Sequence, residues 1–187
     1  MFREKLFIKN NKKDKTFIYI VLSSSDSIVG NTIKYITEEK YNHVSLSLSD
    51  AFDEMFSFSM FTNGMIRETF YTAYEETEKV AIYRLEVAKE KVNKLKDYIT
   101  DVESKHNTYN FKGLLTAALK IKTKLEESYF CSWFVSDMLK KAKIINYKTD
   151  PSVMSPVGTV KNIKRAEKVF EGKIKDIRKK LDNLNKR

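Results

Sequence analysis

The chain has little of what most functional motifs are built from: one cysteine, two histidines, two prolines and five glycines in 187 residues. A single thiol excludes an intrachain disulfide framework. One Cys with two His also falls short of an all-Cys/His four-ligand zinc site, so no structural metal is expected. So few Gly and Pro exclude collagen-like and low-complexity architectures. Long apolar runs are missing as well: the longest, Phe17 to Leu22, has six residues, where a spanning helix needs about 20. The stretch Met1 to Lys9 holds only Leu6-Phe7-Ile8 before Asn10-Asn-Lys-Lys-Asp-Lys15 turns polar. Neither a secretory hydrophobic segment nor a transmembrane segment is expected, and cytoplasmic residence would keep the thiol reduced.

What the chain does have is 42% hydrophobic and 12% aromatic residues, enough apolar surface for one folded core. Its net charge of +10 is concentrated at the end, where residues 161–187 hold eleven Lys/Arg against four Asp/Glu. No zinc finger, RNP-type strand or helix-turn-helix accompanies these cations. They read as a solvated helix face, with no specific nucleic-acid partner and at most a weak contact with an anionic surface.

Periodicity predicts the elements. Thr16 to Leu22 is a β-branched and aromatic strand, and Ser23-Ser-Ser-Asp-Ser27 leads into a helix over 28–37. In Tyr41 to Ser49, Val44, Leu46 and Leu48 alternate with His43, Ser45 and Ser47, which makes a strand with one apolar face. Glu54 to Met60 alternates too and forms a hairpin with it. Lys79 to Val87 is a third strand. Helices are expected over Lys89 to Ser104, Phe111 to Lys124 and Phe130 to Ala142, and Ile174, Ile177, Leu181 and Leu184 continue at helical spacing. The division expected is a polar arm (1–15), a folded body (16–177) and a basic helical tail (178–187) that docks, since no Gly/Pro/Ser linker precedes it. The fold class is α+β, an antiparallel sheet of three or more strands packed against helices.

Few residues here can do covalent chemistry. Cys131, in Ser128-Tyr-Phe-Cys-Ser-Trp-Phe134, falls in the first turn of a helix, where unpaired N–H groups and the helix dipole favour a thiolate. His43, fixed on a strand beside Ser45 and Ser47, is suited to take and return a proton. His106 lies in a polar loop and is expected to be solvated. A third group must orient the imidazole, and the next strand offers Ser57 or Glu54, on opposite faces. Ser57 is favoured if Phe56 and Phe58 face the core. Backbone N–H groups at the start of the Cys131 helix would hold an oxyanion. Tyr41, Tyr129, Ser132 and Trp133 are expected to wall the substrate cleft.

With these residues in place the chain resembles the circularly permuted papain-like cysteine hydrolases, the NlpC-like superfamily in its YiiX-like branch, related to the lecithin:retinol acyltransferase group. The resemblance rests on Tyr41-Asn-His-Val-Ser-Leu-Ser-Leu48, Asp53-Glu-Met-Phe-Ser-Phe58 and Tyr129-Phe-Cys-Ser-Trp-Phe-Val135. It extends through Asn63-Gly-Met-Ile-Arg-Glu68, Ala81-Ile-Tyr-Arg-Leu-Glu86, Tyr109-Asn-Phe-Lys-Gly-Leu114 and Phe170-Glu-Gly-Lys-Ile174, covering about residues 17–177. The histidine strand precedes the cysteine helix, the reverse of papain. The resemblance implies a permuted papain-like fold, a Cys131 nucleophile, a His43 base and a polar third residue on the following strand. It also implies a cysteine amidohydrolase or peptidase that works through a thioacyl intermediate on a small peptide-like or lipid-like substrate and needs no cofactor. A lipid acyltransferase or esterase of the same fold and an inactive binding module are the alternatives. Two departures stand out: Trp133 occupies a position commonly Glu or Gln in similar proteins, and Ser57 would replace the usual Glu or His.

Overall fold

Alternating β-branched and aromatic residues make Lys15–Ser24 a ten-residue strand, β1, with Ile18, Ile20 and Leu22 packed on one side and Tyr19 and Val21 on the other. The computed structural model describes residues 13–24, 38–105, 108–118, 128–161 and 163–185. The helix expected over 28–37, residues 1–12 of the arm, His106 and positions 119–124 of the second predicted helix lie outside the described residues.

Seven further strands join β1: β2 (His43–Ser47), β3 (Met55–Ser59), β4 (Gly64–Glu68), β5 (Lys79–Ala88), β6 (Thr108–Tyr109), β7 (Ser128–Tyr129) and β8 (Glu167–Lys173). They form one sheet in the order β7-β6-β4-β3-β2-β1-β5-β8. Every neighbouring pair is antiparallel except β6 and β7, which run parallel. The expected antiparallel sheet is therefore a mixed one, because the short β7 re-enters along the edge beside β6.

Both faces of the sheet are covered. On one, Ile18, Ile20, Leu22, Val44, Leu46, Phe56 and Phe58 meet α1 (Lys89–Ser104) through Val92, Leu95, Ile99 and Val102, and α3 (Cys131–Lys141) through Phe134, Val135, Met138 and Leu139. The short α2 (Phe111–Ala118) and α4 (Pro156–Lys161) flank this layer. On the other face Tyr19, Val21, Met55, Val80 and Ile82 meet Phe52, Phe70 and Tyr74 from loops, and Ile174, Ile177 and Leu181 from α5 (Ile174–Asn185). The molecule is α+β. α5 passes residue 177 without a break and buries Leu181 beyond it, so the start of the basic tail is part of the body.

Candidate active site

Strand alternation decides which side chains can meet. Val44 and Leu46 go to the α3 side, so His43, Ser45 and Ser47 turn to the opposite face. Met55 pairs with both Ser47 of β2 and Glu68 of β4, and Ser57 pairs with Ile66, so Glu68, Ile66, Ser57 and Met55 share that second face. β3 lies between His43 and Glu68 and presents there only the small Ser57, which leaves space for the two to meet.

They do meet: Nε2 of His43 lies 3.2 Å from Oε1 of Glu68. The Glu68 carboxylate is buried and accepts hydrogen bonds from Oγ of Ser45 and from the Tyr74 hydroxyl at 2.7 Å. Ser45 and Tyr74 also touch each other, their oxygens 3.2 Å apart. Burial alone would push Glu68 towards its neutral form. The imidazolium charge of His43 and the hydrogen bonds of His43, Ser45 and Tyr74 outweigh it and hold the carboxyl below its ordinary 4.5.

His43 sits at the other end of this network, its side chain 21% exposed. Burial pushes the imidazole down. The Glu68 charge, hydrogen bonds to the Cys131 thiol and to Glu68, and the charge of Cys131 oppose that and win, holding His43 well above 6.5.

Cys131 is the first residue of α3, after Phe130 in extended backbone with no side-chain cap. The first intrahelical bond is Phe134 N–H to the Phe130 carbonyl, 2.9 Å. The N–H groups of the preceding turn therefore point out of the helix end beside the sulfur. Cys131 is 3% exposed yet lines a concave cavity of about 380 Å³, together with His43, Glu68, Tyr74 and Tyr109. The cavity lies at the rim of the sheet where β1 ends and β2 begins, with Ser23 opposite His43. Burial and the Cys131 charge push the Tyr109 phenol upward.

The other expected site residues are placed elsewhere. The Ser57 hydroxyl donates to the Val44 carbonyl at 2.7 Å, and the carboxylate facing the imidazole is that of Glu68. Glu54 is half-exposed and bound to Arg67 at 2.5 Å. The partner of the imidazole is thus Glu68 of β4, one strand beyond the one expected to supply it. Tyr41 donates to Glu171 at 2.8 Å, Ser132 to the Met154 carbonyl at 2.7 Å and Tyr129 to Asp137 at 2.9 Å. Trp133 packs on Tyr129 and Phe130. None of these four is among the described residues lining the cavity. The walls instead come from Phe58, Met60, Phe61, Ile66 and Tyr109, with Asn42, Thr62 and Thr72 supplying polar groups. Among the described residues no group of three or more His, Cys, Asp or Glu is arranged to hold a metal ion, and no helix is long and apolar enough to cross a membrane. Compared with known protein families and with curated proteins, the chain matches none.

Proposed function

We propose that the protein is a cysteine hydrolase that cleaves an amide through a thioacyl intermediate on Cys131. The observation that carries this is the convergence, on one cavity, of a helix-terminal thiol and an imidazole backed by a buried carboxylate. The chain order, histidine strand before cysteine helix, fits the permuted papain-like fold that the sequence resembles.

The chemistry follows from the charges. His43, beside the sulfur, is placed to take the thiol proton, which yields the nucleophilic form. The sulfur attacks the substrate carbonyl carbon, a C–S bond forms, and the carbonyl electron pair moves onto oxygen, facing the N–H groups at the start of α3. Collapse of this adduct breaks the C–N bond as His43 gives its proton to the departing amine. The imidazole, now neutral, takes a proton from water, which attacks the thioester. The C–S bond breaks, the acid leaves, and thiolate and imidazolium are restored. Glu68 stabilises the charged ring and holds its orientation throughout.

A second reading, the same chemistry on an ester with a lipid-like acyl group, is favoured by the apolar walls Phe58, Met60, Phe61 and Ile66. Phe61, 79% exposed, stands at the mouth. Intact-mass measurement after mixing the protein with an activated acyl donor, as anilide and as p-nitrophenyl ester, tests both. Amide hydrolysis predicts an acyl adduct on Cys131 from both donors that decays within the turnover time and is absent in Cys131→Ala. Adduct from the ester alone supports the second reading. No adduct from either donor would leave a binding module and overturn the proposal.

A further inference from the structure

Tyr74 belongs to a connection of ten residues, 69–78, between β4 and β5 that holds no helix or strand of its own. Such a segment positions a side chain only if something fixes its backbone. Inside it, Thr69 and Thr72 bond each other at 3.1 Å, which shapes the turn without anchoring it to the body. The anchor comes from α5. Arg178, its side chain 18% exposed, donates from Nε to the Phe70 carbonyl at 2.7 Å and from Nη2 to the Tyr74 carbonyl at 2.6 Å. These two carbonyls bracket the turn that carries Tyr74. The same helix adds a bond from the Tyr71 hydroxyl to Asp182 at 2.5 Å, the Lys175 N–H to the Glu76 carbonyl at 3.1 Å, and the Ile174 N–H to the Glu78 carbonyl at 2.9 Å.

The far end of the Tyr74 side chain reaches the site. Tyr74 is buried, and its hydroxyl donates to the same Glu68 oxygen that faces His43. The ring is set by Phe70, 5.8 Å away between centroids. A planar fork on two backbone carbonyls and a rigid phenol are short, directional links, so backbone position at the loop translates into carboxylate position at the imidazole.

We propose that Tyr74, pinned by Arg178 of the C-terminal helix, is a positioning residue that fixes the Glu68 carboxylate against His43. The basic tail helix thereby sets the geometry of a site to which it contributes no reacting atom. The proposal rests on the thiol–imidazole site described above. Among the described residues, the titratable groups around His43 are Glu68 from β4, Cys131 from α3, Tyr109 from β6, and Tyr74 and Glu78 from this connection. Tyr74→Phe removes one hydroxyl and leaves all the others.

The test uses the full chain, whose single cysteine makes alkylation by iodoacetamide specific to Cys131. Second-order rates are measured from pH 5 to 9 for wild type, Tyr74→Phe, Arg178→Ala, Arg178→Lys, Glu68→Gln, and the pairing of each of the first three variants with Glu68→Gln. The melting curve of each is recorded. Tyr74→Phe and Arg178→Ala are expected to slow alkylation at pH 6 by roughly three- to tenfold, the size expected when a hydrogen bond to a charged group is lost and only part of the effect reaches the ring. Arg178→Lys, which can hold one carbonyl, should recover part of the loss. In the Glu68→Gln background the further loss should shrink to less than about twofold, because the residues act through that carboxylate. A wild-type profile in Tyr74→Phe, or a loss that multiplies undiminished with that of Glu68→Gln, overturns the proposal. Should Arg178→Ala fail to fold, Tyr74→Phe decides alone. A wild-type thiol no faster than glutathione and indifferent to His43→Ala would remove the parent site and this proposal together. A fast, His43-dependent thiol with an indifferent Tyr74 removes only this one.

Discussion

Glu68 is the residue on which the charge arrangement turns. It is buried, ionised and shared by His43, Ser45 and Tyr74. Its charge is the largest influence raising the His43 pKa, with burial working the other way. Glu68→Gln should therefore let His43 lose its proton at lower pH. In the proposed mechanism the imidazolium donates to the leaving amine, so the alkaline limb of kcat/KM should move towards neutrality, as a pH–rate profile on an anilide would record. The same pair enters stability from both sides. His43, raised on folding, contributes fully below about pH 6.5, and the contribution is lost as pH rises through its folded value. Glu68, lowered on folding, contributes above about pH 4.5 and loses it as pH falls through its folded value. Denaturant unfolding at pH 5.5 should show Glu68→Gln costing about 2 kcal/mol. The difference from wild type should narrow at strongly acid and strongly alkaline pH.

At the scale of elements, the helix that carries Cys131 and the strand that carries His43 were both legible, because each has a clean period: Cys131, Val135, Met138 and Ala142 on one, Val44 and Leu46 against His43 and Ser45 on the other. β4 was not. Gly64-Met-Ile-Arg-Glu68 shows no alternation, since its Met65 and Ile66 are both only half-buried and on opposite faces. Its carboxylate is therefore invisible to a reading by periodicity. The signal that could have revealed it is Asn63-Gly64 four residues after an alternating strand. Asn63 takes a left-handed φ of 52°, as hairpin turns require, and Ser59 pairs with Gly64. β8 was hidden for a different reason: it is an edge strand, charged at Glu167, Lys168, Glu171 and Lys173. Short elements raise a separate prediction. Asn110 caps α2, its Oδ1 accepting from the Gly113 N–H at 2.6 Å. A Cβ on Gly113 would stand 2.5 Å from the Asn110 Nδ2. Gly113→Ala would ordinarily favour a helix, but here it must displace the cap. A net loss of about 1 kcal/mol is expected by thermal or urea unfolding, and a gain would show that the cap can yield.

For the whole molecule, the sheet divides two apolar layers, and the C-terminal helix covers one of them. The net charge of the tail suggested a solvated face, and part of it is one. What composition did not reveal is that Arg178 turns inward onto loop carbonyls and that Lys180 stacks over Phe170 at 4.6 Å. The apolar period Ile174, Ile177, Leu181 was the better guide, because burial follows spacing and not net charge. Ile177→Ala empties a fully buried position in that second layer and should cost about 3 kcal/mol in urea unfolding. A cost under about 1 kcal/mol would mean that α5 is only loosely seated. The third group of the site was beyond the sequence for a related reason. It depends on the order of strands across the sheet, which places β4 within reach of β2 over the small Ser57, and no local pattern encodes that order.

The most direct measurement is the rate at which Cys131 of the native chain is alkylated by iodoacetamide at pH 6, with glutathione as the free-thiol standard. A sulfur served by His43 as its proton acceptor predicts a rate at least roughly tenfold above the standard, which falls to or below it in His43→Ala while the fold persists. A native thiol that reacts no faster than glutathione, or whose rate is the same without His43, would contradict the account.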